Sequence, residues 1–349
     1  MQTLTDVRQR LAERQAGRSM LEVPVNSLSL DESGRLRVSG GTFILSDEAR
    51  VTLAVRASIP PSFLNKCPTD VQAYLFNRLY PQALGDRGSD DATGLILEND
   101  AVVVGIVDPK LSCLSGAEVL EAVLDAKPEA VSEEELEVTQ FELNGVLRLS
   151  VVSHVLQTEP RVGDLVRAGV DVWHSDTGLS ATQVESYMLR LACLNGLMVK
   201  VCAHGDGCGS RIRRAAAHNR RQTLRRVEEM ARKAWRELDA KLAAMRILAS
   251  ERLDNPADLI QAIAEKLRFP ESLVSRILEA LDADEMGPSG SLWDLVNAFS
   301  RVGTHDERLS SATHRFLQEL SGHLIQERLE RCPSCGRVQR GMPRYLPRR

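Results

Sequence analysis

The stretch Glu137-Val-Thr-Gln-Phe-Glu-Leu-Asn144-Gly145-Val-Leu-Arg148-Leu-Ser-Val-Val-Ser153 decides how the first half of the chain folds. Apolar and polar residues alternate on both sides of Asn144-Gly145, and that dipeptide is a strong short-range signal for a tight reversal between two strands. Its surroundings predict further strands: Val170–Trp173, a pair over Thr93–Asp108 turned at Glu98-Asn-Asp100, and a strand-rich stretch over Leu21–Phe43. In the last of these, Asp31-Glu-Ser-Gly34 turns between Val25–Leu30 and Arg35–Val38. Helices fall between them. One covers residues 2–16, with Leu4, Val7 and Leu11 on one face. Ser46 caps a second, which stops before Pro60-Pro61. Asp70–Tyr80 is a third, ended by Pro81, and Ser115–Ala126 a fourth. Gln183–Leu194 also reads as a helix, with Val184, Tyr187, Met188, Leu191 and Leu194 on one face. Thr182 and Glu185 make its capping box, and Asn195-Gly196 its stop.

Beyond about residue 200 the pattern is helical almost to the end. Asn219–Ser250 predicts one long helix, its apolar spacing of three or four interrupted only between Ala231 and Leu238. Asn255-Pro256 and Pro270 open two more, and Leu292–Val302 and Glu307–Arg328 are the last. The expected fold class is α+β. Residues 1–200 form a mixed strand-helix core, 201–330 a helical region with a long basic helix, and 331–349 an Arg- and Pro-rich, loosely ordered tail.

The composition, 43% hydrophobic and 26% charged over 349 residues, excludes a mostly disordered or collagen-like chain. The longest apolar runs, such as Ala101–Val107, are too short to cross a bilayer, so no membrane partner is expected. The N-terminal residues lack a secretory pattern, and seven cysteines suit thiols in a reducing, cytoplasmic setting. Cys67, Cys113 and Cys193 stand in apolar contexts and read as core.

A net charge of −4 hides strong segregation. Between Gly209 and Arg236 stand Arg211, Arg213, Arg214, Arg220, Arg221, Arg225, Arg226, Arg232, Lys233 and Arg236, opposed only by Glu228 and Glu229. The tail from Glu327 adds seven arginines against two glutamates, while Glu118–Glu142 holds nine acids against Lys127. Such asymmetry suggests a local anionic partner. Arg211, Arg214, Arg221 and Arg225 share a helix face if the helix starts early, with Arg213 and Arg220 on the neighbouring strip. A row of guanidiniums about 5–6 Å apart suits the phosphates of a nucleic-acid strand. His218 and Asn219 could add hydrogen bonds, and Trp173 and Tyr187 are candidates for base stacking. The same basic face could instead meet the acidic stretch, within the chain or between subunits of an oligomer.

Two smaller constellations carry chemistry. Cys332-Pro-Ser-Cys335 resembles one half of a zinc site, with Cys202, His204 and Cys208 as candidate completing ligands; zinc is the one cofactor suggested. The alternative reading is exposed thiols and a Gly-rich loop. Asp171, His174 and Asp176 lie close in sequence at a strand end, where they could bind a metal or act as acid and base, or simply make a turn. No phosphate-cradling glycine loop and no nucleophile elbow occurs.

Two separated stretches resemble a known family. Arg161-Val-Gly-Asp-Leu-Val-Arg-Ala-Gly169, Ser175-Asp-Thr-Gly178 and Leu189-Arg-Leu-Ala-Cys-Leu-Asn-Gly-Leu197 make the first. Ser291-Leu-Trp-Asp-Leu-Val-Asn-Ala-Phe-Ser-Arg-Val302 is the second. Their order and separation resemble the phage- and plasmid-borne "domain of unknown function 932" family, over roughly residues 45–325. This chain departs from that pattern at Val107-Asp-Pro-Lys110. The resemblance carries no established activity; its mobile-element setting implies DNA transactions. The expectation is therefore a non-enzymatic, sequence-independent single-strand-binding or annealing protein. A metal-dependent nucleic-acid-processing enzyme and a self-assembling protein with paired basic and acidic segments are the alternatives. Within the second stretch Asn297, Arg301 and His305 fall on one face, where a buried Asn–Arg ladder is expected and a ligand site is the alternative.

Overall fold

The computed structural model describes residues 2–84, 91–109, 114–177, 181–191, 195–199, 211–212, 220–283, 290–327 and 345–346. The fold is α+β, with mixed sheets in the N-terminal half and helices in the C-terminal half. Helix α1 (Leu4–Ala16) starts at Thr3, whose hydroxyl accepts from Asp6 N while the Asp6 carboxylate accepts from Thr3 N. It leads into β1 (Arg18–Pro24), an edge strand of the first sheet. The other strands there are β2 (Ser29–Leu30), β3 (Leu36–Val38), β4 (Gly41–Leu45), β5 (Ala92–Glu98) and β6 (Val102–Val107), in the order β1-β5-β6-β4-β3-β2. β4 runs parallel to β6, and the other neighbours are antiparallel. Helices α2 (Asp47–Arg56), α3 (Pro61–Leu64) and α4 (Thr69–Leu84) belong to this unit, and its core joins Leu36, Leu53, Phe76, Tyr80, Leu95 and Ile106. Helix α4 continues through Pro81, where the sequence predicts a stop. In the last turn a proline removes one hydrogen bond, a loss the helix tolerates. Cys67, expected in the core, is half-buried.

The second sheet is antiparallel, in the order β11-β10-β9-β8-β7. β7 (Leu136–Asn144) and β8 (Val146–Thr158) form the hairpin expected at Asn144-Gly145, and Gly145 supplies the positive φ, +69°, that the reversal requires. β9 (Val166–His174) follows, then β10 (Thr182–Arg190), β11 (Asn195–Val199) and a short β12 (Arg211–Ile212) that pairs with β10. Gly169 lies where β9 passes the bulged part of β8; a Cβ there would stand 1.8 Å from Val151 O.

The expected helix over Gln183–Leu194 is instead β10 and the turn after it. Its apolar residues fit either period, and pairing with β9 on one side and β11 on the other selects the strand. Thr182 caps nothing there: its Oγ1 lies 2.9 Å from His174 Nδ1. Asn195-Gly196, expected to stop a helix, opens β11.

One face of this sheet, with Leu149, Val151, Val170, Val172, Val184 and Met188, is apolar and helix-covered. Helices α5 (Gly116–Asp125), α6 (Arg220–Arg236), α7 (Leu238–Ser250), α8 (Pro256–Leu267), α9 (Glu271–Asp282), α10 (Leu292–His305) and α11 (Ser311–Gln326) contribute to the same apolar cluster. The long helix expected over Asn219–Ser250 is two. The break at Glu237 falls inside the interrupted apolar spacing, so each half buries its own face. Glu237 and Lys241 pair at 2.6 Å, both buried, and Lys241 Nζ donates to Ser186 Oγ at 2.9 Å. Two tail residues are ordered rather than loose: Leu346 is buried, and the Tyr345 and Leu346 amides donate to the Glu327 carboxylate.

The two stretches quoted last above meet in one buried network. Asp164 accepts from Arg190 Nε at 2.6 Å and from Trp293 Nε1 at 2.8 Å, while Arg161 pairs with Asp294. The expected Asn297–Arg301 ladder is absent. Arg301 donates to Ala283 O at 2.9 Å, and the buried Asn297 amide makes no hydrogen bond among the described residues.

Candidate functional site

Helix α6 buries Thr223, Val227, Met230, Ala231, Ala234 and Trp235 against the second sheet and its neighbours. That choice of buried face fixes what points outward. Arg221, Arg225, Arg232 and Arg236 recur at spacings of four, seven and four, and all are exposed. At 1.5 Å rise per residue the strip is about 22 Å long. Glu229 is exposed and Glu228 half-buried near its middle. The four arginines make no ion pair with any described residue; the ion pairs of other arginines lie elsewhere in the fold. Arg226 and Lys233 are half-buried beside the strip, and Arg220 gives Nη2 to Glu118 at 2.5 Å.

Arg211, expected on this helix face, lies on β12 instead. It has become a sheet-edge residue, so the strip shifts towards the C-terminal end of the helix. Arg213, Arg214, His218 and Asn219 lie outside the described residues, as do Cys202, His204, Cys208, Cys332, Cys335, Cys113 and Cys193.

Several acids of residues 118–142, Glu118, Glu121, Glu133 and Glu137 among them, have basic partners within the chain. Arg8 holds Glu121 at 2.8 Å and Glu133 at 2.6 Å. These hydrogen bonds keep the Glu133 carboxylate below its usual range against a small opposing effect of burial.

Asp171, His174 and Asp176 do not form one site. In a strand, residues at odd separation face opposite ways. His174 is turned towards α5, its Nε2 2.8 Å from Leu114 O and 3.2 Å from Asp176 Oδ1. Asp176 also accepts from Arg18 Nη1 at 2.7 Å. Burial opposes its ionisation, but His174, Arg14 and Arg18 together hold its carboxyl below the usual value. This trio ties α1 and β1 to the second sheet. Asp171 faces the other way, accepting from Ser150 Oγ at 2.5 Å and Trp173 Nε1 at 2.7 Å. Burial pushes its carboxyl above the ordinary range, with Arg148 and Ser150 opposing. Among the described residues no cluster of three metal-binding side chains occurs.

The face that carries Asp171 is polar. Glu185 pairs with it across β9–β10, and the Trp173 ring lies under two guanidiniums, Arg315 at 4.2 Å and Arg148 at 5.0 Å. Arg315 in turn donates to Gln183 and Glu319. With the α10–α11 corner, this face bounds a half-open cleft of ≈ 590 Å³, lined by Gln140, Glu142, Arg148, Trp173, Tyr187 and Gln318 among others. Stacking of bases on Trp173 and Tyr187 is not what the geometry offers: guanidiniums already cover the first, and the second is 5% exposed. Burial and, after it, the nearby Asp171 charge raise the Tyr187 phenol to about 12, against weaker lowering contacts from Thr139 and Arg148. Sequence reasoning missed Arg148, Glu185 and Arg315. The alternation in β8 placed Arg148 on a polar face, but reading β10 as a helix hid its partner face.

No family model, no curated protein and no solved structure matches this chain.

Proposed function

We propose that this protein binds the phosphate backbone of nucleic acid, without sequence preference, along the exposed face of α6. The observation that carries this is the strip Arg221, Arg225, Arg232 and Arg236, exposed and without ion-pair partners among the described residues. A guanidinium offers planar, permanently charged donors that match phosphate oxygens. Nothing along the strip is built to read base edges, so the contacts position a backbone rather than select a sequence. A single strand bends freely and can bring successive phosphates to a convex helix, so it is the preferred form. The reading with subunits joined by basic and acidic segments has less support, because Arg8 and Arg220 already neutralise Glu121, Glu133 and Glu118 within one chain. The enzymatic reading has less support too, since Asp171 and His174 face opposite sides of the sheet.

The test is fluorescence anisotropy of labelled single- and double-stranded oligonucleotides of mixed sequence, titrated at several salt concentrations. Salt-sensitive binding that favours single strands and ignores sequence is the expected result. Absence of binding at low salt refutes the proposal.

A further inference from the structure

The polar cleft is not explained by the α6 strip, because α6 packs on the opposite face of the sheet, where Ser186 Oγ donates to Ala234 O. Arg148 lines it, with its side chain 12% exposed. A guanidinium carries five N–H donors. Among the described residues Arg148 makes one hydrogen bond, from Nη2 to Gln318 Oε1 at 3.2 Å. Its buried Nε has no acceptor, since Asp171 Oδ1 stands 4.0 Å away. Nη1 has no acceptor among the described residues and is not buried, so it and the second Nη2 hydrogen are the donors that a ligand in the cleft can engage. Glu142 is directly opposite Arg148 across β7–β8, yet its carboxylate accepts from Gln140 Nε2 at 2.8 Å instead. A cation short of acceptors and an exposed anion therefore line one cleft without meeting.

The surrounding charge selects the kind of acceptor. Arg148, Arg167 and Arg315 are outnumbered there by Glu137, Glu142, Asp171, Glu185 and Glu319. A phosphate or carboxylate would enter against that excess. An uncharged planar ring with two acceptors on one edge and N–H donors on another matches both lining charges. Guanine is such a ring: arginine pairs bidentately with its O6 and N7, and a carboxylate can accept from its N1–H and amino group. The volume, ≈ 590 Å³, is that of a small-ligand site. We propose that this cleft binds a guanine base, as the free nucleoside or as an unstacked base of a single strand.

The test is calorimetric titration of the full-length protein with guanosine, adenosine and guanosine monophosphate, and with two short single strands that differ by one guanine-to-adenine change. Expected are saturable guanosine binding, at least tenfold weaker adenosine binding, and at least tenfold loss of guanosine affinity in Glu142→Gln. Glu142 is exposed, so its circular dichroism spectrum and melting midpoint should match the parent's. Guanosine as tight as the guanine strand assigns the free nucleoside; a tighter, guanine-dependent strand assigns the unstacked base. Binding that ignores the guanine-to-adenine change, or that Glu142→Gln leaves intact, overturns the proposal. Tighter binding of the monophosphate than of guanosine overturns it as well, by making the cleft an anion site. The variant Arg221→Ala/Arg225→Ala should leave guanosine binding unchanged, which separates a failure here from a failure of the α6 reading.

Discussion

Replacing Arg221 and Arg225 by alanine should halve the salt dependence of nucleic-acid binding. Each phosphate contact on a single strand contributes a slope of about −0.7 in log K against log salt. Four exposed arginines on α6 therefore give about −2.8, or roughly a fiftyfold loss of affinity between 50 and 200 mM salt. With two removed the slope becomes about −1.4 and the loss roughly sevenfold. The strip's length of about 22 Å spans at least four phosphates at a repeat of about 5–6 Å, so four simultaneous contacts are geometrically allowed. Both residues are exposed on a helix whose opposite face makes the packing, so alanine there leaves the fold intact. Anisotropy titrations of parent and variant at four salt concentrations give both slopes directly. The variant Glu228→Gln/Glu229→Gln provides the opposite control, and its affinity should rise because two like charges no longer repel the ligand. An unchanged slope in the arginine variant, or an unchanged affinity in the glutamine variant, would show that nucleic acid does not lie on this strip.

Asp164→Ala removes the buried acceptor that Arg190 and Trp293 share; a loss of about 3–5 kcal/mol is expected, read by urea denaturation. Gly169→Ala places a methyl group against Val151 O, a backbone atom that cannot step aside, and should cost about 3 kcal/mol or prevent folding; a parent-like midpoint would refute that register of β8 and β9. Asp306 is held at about 2, mainly by its hydrogen bond from Arg308, against slight burial, with Arg276 assisting. A depressed carboxyl stabilises the fold above its ordinary value of 3.8, and that contribution is lost as pH falls towards 2. Asp306→Asn should therefore flatten the acid side of the stability profile between pH 4 and pH 2, measured by thermal melts.

The hairpin at Asn144-Gly145, the Ser46 cap, the helix from about Ser115 and the helix starts at Asn255-Pro256 and Leu292 were legible because each depends on neighbours along the chain. The same is true of the interruption between Ala231 and Leu238, where α6 gives way to α7. The basic segment was legible as charge. Which of its arginines face solvent was not, because that depends on which side of α6 meets the sheet.

What lies further apart in sequence was decided by packing. Gln183–Leu194 satisfies a helical period and a strand period alike, and only the flanking β9 and β11 make it a strand. Once it is one, Glu185 comes to lie beside Asp171, and α11 brings Arg315 over Trp173. Asp171 and His174, three residues apart, are sent to opposite faces by the two-residue repeat of that same sheet. Local periodicity and capping chemistry thus determined most helices and turns. The polar cleft, the Asp164 network and the exposed arginine strip arise from pairings over tens to more than a hundred residues, which short-range sequence patterns do not encode.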